Sequence, residues 1–209
     1  VSLTQADVMD IDEDLFRQGR VNARQFGEMQ VPTELRYMQA VKMGGKESDE
    51  LVLADIAAYI IELMDEYSEH YFIMGSGSTV EFIMQELGLA NTLLGVDLVQ
   101  GGRLVASDLT AQQLFERVNH QATKLVITLI GGQGHVFGRG NQQLSPQVLR
   151  SVGKENILLV ATKSKLNNLG GKPLISDSGD IKLDAELAGL MTVITGYRDQ
   201  VLYPLADLQ

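Results

Sequence analysis

The sequence predicts an α/β fold, a mainly parallel sheet with helices on both faces, preceded by an N-terminal extension of helix and strand. Three observations predict it. Short runs that are apolar throughout, such as Tyr71-Phe72-Ile73-Met74, or mostly so, such as Lys124–Ile130, alternate with amphipathic stretches of helical period. Strands covered on both faces read as such continuous runs, because neither side meets water. Glycine-rich turns follow the strands, and capping residues open the helices. With 209 residues, 44% hydrophobic and 21% charged, the chain can bury a sizeable core.

The extension covers residues 1–50 and is expected to pack on a further domain. Asp12–Phe26 is expected to be a helix, with Phe16, Gly19, Ala23 and Phe26 on one side and Arg17, Arg20 and Arg24 on another. Leu35–Met43 is expected as a short strand, and residues 44–49 as a turn or helix lead-in.

Residues 51–209 are expected to form a nucleotide-binding-like α/β domain. Ile56, Tyr59, Ile60, Leu63, Met64 and Tyr67 recur at helical spacing. The run 71–74 is a strand, and residues 75–79 break it. Ser78 with Glu81 has the form of a capping box for a helix reaching Leu87, with Gly88 as its stop. Leu93–Val99 and Arg103–Ala106 follow as strands. Thr110 with Gln113 repeats the cap signal before a helix to about Asn119. After strand Lys124–Ile130 comes a long glycine-rich loop to Leu144. Ser145-Pro146 then opens a helix that ends near Gly153. Asn156–Ala161 is a strand, Thr162–Leu169 a short helix, and Met191–Thr195 and Val201–Leu205 are closing strands. This order gives a Rossmann-like sheet, whose ligands bind where the strands end. The loops 75–79, 131–144 and 162–172 leave those ends.

Composition narrows the function. A net charge of −10 argues against nucleic-acid and anionic-membrane partners. No apolar run approaches the ~20 residues of a membrane span. With no Cys, thiol nucleophiles and thiolate zinc are excluded, which is compatible with a reducing, cytoplasmic location. Val1 is not Met and no signal pattern opens the chain, so it is expected to be a piece of something longer.

Gly75-Ser76-Gly77-Ser78-Thr79 joins a strand to a helix N-terminus. Glycines let a backbone approach phosphate, and free N–H groups with the helix dipole attract anions. A plain tight turn is the alternative. Gly131-Gly132-Gln133-Gly134-His135-Val136-Phe137-Gly138-Arg139-Gly140-Asn141-Gln142-Gln143 is the strongest local signal. Its length exceeds the usual α/β connection. Arg139, Asn141, Gln142 and the glycines suit a phosphorylated, hydrogen-bonding ligand. A flexible surface loop is the alternative. His135 is a base or ligand contact, or else it orders the loop. Lys163, Lys165 and Lys172 bring positive charge to the same edge, or are ordinary surface lysines. Asp97, Asp108, Asp177, Asp180 and Asp184 are candidate Mg²⁺ holders, with helix capping the better explanation of Asp108, and a solvated polar loop with caps the better explanation of Asp177, Asp180 and Asp184. Three scattered His residues make no zinc site, and no metal ligand is assigned.

The run 131–146 resembles the C-terminal part of the predicted ATP-NAD kinase (polyphosphate/ATP-NAD kinase) family. So do Asp10…Asp12-Glu13 with Gly19-Arg20, residues 75–79, Leu94-Gly95-Val96-Asp97, Ser164-Lys165-Leu166, Asp184-Ala185-Glu186-Leu187-Ala188-Gly189 and Thr195-Gly196-Tyr197-Arg198. The resemblance implies phosphorylation of NAD to NADP, with ATP or another phosphoryl donor and Mg²⁺. It implies an N-terminal kinase domain whose Gly-Gly-Asp-Gly-Thr motif supplies the base, and a homo-oligomer is expected. That motif is absent. Gly131-Gly132-Gln133-Gly134 puts Gln133 where the carboxylate would stand, and an amide is no base. No catalytic residue is therefore assigned, and this chain alone is expected to be inactive. The familiar kinases have a β-rich second domain, whereas the pattern here reads α/β. A phosphate-binding domain like those of sugar-phosphate isomerases or CoA transferases, with Asp97 as base, is a second reading. A non-catalytic nucleotide-sensing or dimerisation domain is a third.

Overall fold

The computed structural model describes residues 3–11, 23–32, 50–130 and 132–207. They divide into two units, Val1–Ser48 with Gly131–Gln133, and Asp49–Ile130 with Gly134–Gln209. In the first, β1 (Leu3–Ile11) pairs antiparallel with β2 (Ala23–Pro32), from Leu3↔Pro32 to Ile11↔Ala23, with a register shift at Val8/Met9. The helix expected over Asp12–Phe26 is thus corrected at its end. Ala23–Phe26 opens a strand, because ladder bonds to β1 outweigh a weak helical period. Residues 12–22 of that helix, the strand expected over 35–43 and the turn over 44–49 lie outside the described residues.

The second unit is an eight-stranded mixed sheet with helices on both faces. Its strands are β3 (Tyr71–Met74), β4 (Asp97–Gln100), β5 (Arg103–Ala106), β6 (Thr123–Thr128), β7 (Ile157–Val160), β8 (Leu174–Ser176), β9 (Gly189–Gly196) and β10 (Asp199–Asp207). Their spatial order is β5-β4-β3-β6-β7-β9-β10-β8. The central four, β3, β6, β7 and β9, run parallel. At one side β4 runs antiparallel to β3, and β5 to β4. At the other, β10 folds back on β9 and pairs in parallel with β8.

The helices are α1 (Glu50–Glu66), α2 (Ser78–Glu86), α3 (Ala111–Val118), α4 (Pro146–Val152), α5 (Lys163–Asn167) and α6 (Ile181–Leu187). The continuous apolar runs serve both faces in alternation, as a pleated strand must. Phe72 and Met74 pack with α1 and α2 through Ile56, Ile60, Val80 and Ile83. Ile73 between them packs in the opposite core, to which α3, α4, α5 and α6 contribute Leu114, Val148, Leu166 and Leu183. Burial of side chains of this size, each worth roughly 1.5–3 kcal/mol, fixes which helix lies on which face.

Two expectations shift. Leu93–Val96 is a turn, so β4 starts at Asp97. The Asp97 carboxylate ties that turn by accepting the Thr92 N–H at 2.6 Å and the Asp108 N–H at 2.9 Å. The sequence reading also missed β8 and α6, the latter in a stretch read as a polar loop. Among the described residues no helix is long and apolar enough to cross a membrane.

Candidate functional site

Because β3, β6, β7 and β9 point the same way, their carboxyl ends form one rim. The chain leaving β3 passes through Gly75-Ser76-Gly77 into α2, on one face of the sheet. The chain leaving the neighbouring β6 enters α4 on the opposite face. Diverging connections from adjacent strands open a crevice, the usual ligand position in such sheets. Here two glycine-rich loops meet, for the Ser76 hydroxyl donates to the Gly140 carbonyl at 3.2 Å.

The N-terminus of α2 sits at this place. Gly75 runs against β6, where a Cβ would come within 2.9 Å of Ile127 Cγ2. Gly77 occupies the N-cap with φ 114° and makes no side-chain cap hydrogen bond to the backbone of the first turn. The capping box expected of Ser78 and Glu81 is therefore corrected. Ser78 is already helical, and a glycine with no Cβ takes the cap because its φ excludes most side chains. The helices α3, α4, α5 and α6 are instead capped by Thr110, Ser145, Thr162 and Asp180. An uncapped first turn leaves N–H donors and the positive dipole end for another acceptor. Lys165 on α5 donates to Thr79 Oγ1 at 2.7 Å, adding a cation beside that turn. Thr128, the last residue of β6, is buried and its hydroxyl has no partner among the described residues. Glu81 is the opposing charge on α2, and burial pushes its carboxyl pKa up, toward the neutral form.

The loop after β6 is built into the core. Val136 and Phe137 are fully buried. His135 bridges Ile130 on one side and Ile175 of β8 on the other. Gly138 has φ 87°, and a Cβ there would lie 1.6 Å from the Asp177 carbonyl oxygen, so only glycine fits. Asn141 staples the turn, accepting the Gly138 N–H at 3.0 Å and donating to the Val136 carbonyl at 2.8 Å. These bonds argue against a loose surface loop. Gly134 is buried, Arg139 half-buried and Gln142 exposed. Arg139 has no hydrogen-bond or ion-pair partner among the described residues. Gly132 is exposed, Gln133 half-buried, and Gly131 lies outside the described residues. The pKa of His135 is lowered, first by burial, then by the charge of Arg139, with Asp177 opposing; its Nδ1 has no partner among the described residues.

Three of the acidic candidates, Asp97, Asp180 and Asp184, have structural duties. Asp97 is buried and holds two backbone N–H groups. Asp108 caps no helix, since Thr110 with Gln113 forms the full capping box of α3. Asp184 is buried on α6 and accepts from the Ser176 hydroxyl at 2.6 Å and the Ser178 N–H at 3.0 Å. Asp180 caps α6 and pairs with Arg150 at 2.7 Å. Among the described residues no group of three acidic, His or Cys side chains stands ready for a metal.

Further along the rim, beside the end of β9, a cleft of about 240 Å³ opens between α1 and the β9–β10 turn. Lys163 pairs with Asp199 at 2.6 Å, and the buried Thr195 hydroxyl donates to the same carboxylate at 2.8 Å. Both interactions hold the Asp199 carboxyl below its ordinary pKa, Lys163 most. Tyr197 and Arg198 both donate to Glu62 of α1 and so fix the turn. Sequence reasoning missed this cleft and Thr128. A Thr interrupting the otherwise apolar run Leu125–Ile130 was a readable signal for Thr128. Nothing local marks Asp199, which depends on how β10 folds back.

The sequence model described as the ATP-NAD kinase C-terminal domain matches residues 67–205. No curated protein and no solved structure matches the chain.

Proposed function

Since the match spans more than half of its length, this chain belongs to the ATP-NAD kinase C-terminal domain family, and on that premise we propose that its carboxyl rim binds the phosphates of a nucleotide. The observation that carries the reading is the uncapped N-terminus of α2 at the crevice between β3 and β6, joined there to the Gly140 loop. Gly75, Ser76, Gly77, Ser78 and Thr79 supply backbone and hydroxyl donors. Gly134, Arg139 and Gln142 approach from the second loop. Asn141 acts by shaping that loop. Arg139 neutralises phosphate charge, and Lys165 reinforces the α2 end.

Family membership makes ATP and NAD the substrates to test. Phosphoryl transfer proceeds mainly by positioning and electrostatics, which such a rim provides. The described residues do not fit a resident Mg²⁺, so no step of the proposal runs through one. No base for the accepting hydroxyl is assigned, and NADP formation is proposed only for this domain acting with an N-terminal kinase domain. Asp97 is poorly placed as a base for sugar-phosphate chemistry, because it is buried and held by two N–H groups.

Calorimetry with ATP, NAD and NADP tests the proposal. Saturable binding of at least one supports it, and binding of none rejects it. A joint assay with the kinase domain then separates catalysis from nucleotide sensing by the appearance of NADP.

A further inference from the structure

The carboxyl end of β6 carries a hydroxyl that the fold itself does not use. Thr128 is 3% exposed, and its Oγ1 has no hydrogen-bond partner among the described residues. A buried hydroxyl left unpaired costs free energy, so each one in a native fold calls for a partner. The neighbouring hydroxyls are engaged elsewhere. Ser76 donates to the Gly140 carbonyl, Thr79 accepts from Lys165, and Thr162 caps α5.

Its place is fixed from two directions. Side chains alternate along a strand, so Thr128 shares the face of Val126, which packs in the core with residues of α1 and α2. The Gly75 N–H donates to the Val126 carbonyl at 2.9 Å, which lays the turn before α2 over the end of β6. Apart from its chain neighbours, a Cβ on Gly77 would meet one heavy atom within 4 Å among the described residues, Thr128 Cγ2 at 3.0 Å. The space beside the α2 N-cap is otherwise open, and the Thr128 side chain floors it.

We infer that Thr128 is a binding residue of the rim, its hydroxyl donating to an oxygen of the phosphate held at the N-terminus of α2. Methyl and hydroxyl share one Cβ. A turn about χ1 from one staggered well to another carries the hydroxyl to where the methyl now faces Gly77. The ligand then supplies the partner that the fold lacks, and the new donor joins N–H groups whose dipole favours the same charge. This inference rests on the reading that α2 takes phosphate.

Calorimetry with ATP, NAD and NADP, beside thermal unfolding of the ligand-free chain, tests it on Thr128→Val and Thr128→Ser. Valine keeps the shape and removes the hydroxyl. Its affinity falls at least about five-fold for each nucleotide that the wild type binds, while its melting temperature is unchanged or higher, because a buried unpaired group is gone. Serine keeps the hydroxyl and binds within about two-fold of wild type, although the lost methyl lowers its melting temperature. A smaller loss of affinity in the valine variant overturns the role of Thr128 and leaves the phosphate reading standing. So does a fall in its melting temperature, which reveals a partner inside the protein, or an equal loss of affinity in the serine variant. Binding of none of the three nucleotides by the wild type overturns the phosphate reading, and the role of Thr128 falls with it.

Discussion

The Ser76 hydroxyl donates to the Gly140 carbonyl at 3.2 Å, across two loops that leave neighbouring strands for opposite faces of the sheet. The bond sets the start of α2 beside the loop carrying Arg139. Each loop is fixed independently, one by Gly75 pressed on β6 and the other by Asn141 and Phe137. Both loops are therefore tied into the fold without a ligand, and a preformed site lowers the entropic cost of binding.

Arg139→Ala removes a half-buried guanidinium with no partner among the described residues. Affinity for ATP is expected to fall at least several-fold, with the melting temperature nearly unchanged, since no charge-assisted contact inside the protein is lost. Calorimetry beside thermal unfolding checks both parts. Unchanged affinity removes Arg139 from the site.

Gly138→Ala is expected to destabilise by more than about 2 kcal/mol, combining a positive φ with a clash against backbone. The added Cβ would stand 1.6 Å from the Asp177 oxygen. Gly132→Ala, where a Cβ meets nothing within 4 Å, is the contrast and should be nearly neutral. Denaturant midpoints distinguish the two.

His135 links stability to pH. Burial lowers its pKa in the folded chain, so the unfolded chain binds the proton more readily. Stability is full above the ordinary His value of about 6.5 and declines as pH falls below it. His135→Gln is expected to flatten this decline between about pH 7 and 5. Urea titrations across that range measure it, and an identical slope in the variant contradicts the assignment.

Asp180 acts lower on the scale. The Arg150 hydrogen bond, helped by the Leu183 N–H, lowers its pKa to about 2. Its stabilising contribution is present above the ordinary Asp range and is lost as pH falls toward about 2. Asp180→Asn keeps a capping oxygen but drops the charge. Its deficit in melting temperature should be constant near neutrality and vanish in strong acid.

The sequence was most readable where a signal is local. The uninterrupted run Tyr71–Met74, the Thr110/Gln113 box and Ser145-Pro146 each declare an element within a few residues, and each is present. Strand direction was less readable, because β4 and β10 turn antiparallel through connections whose geometry no local residue announces. The three residues of β8 carry no period, and Ile181 on α6 is 76% exposed, which blurs its amphipathic pattern. Acids in β1 and β2, such as Asp7 and Glu28, which face each other in register, broke the alternation that marks a strand. The chemistry of the glycine loops was legible in their composition. Their meeting was not, since it follows from β3 lying next to β6.

The most direct measurement records backbone amide NMR shifts during titration with ATP. If the rim binds phosphate, the largest changes fall on residues 76–80 and 138–142, around the Ser76–Gly140 bond. Saturating changes confined to other parts of the chain, or none at all, contradict the proposal.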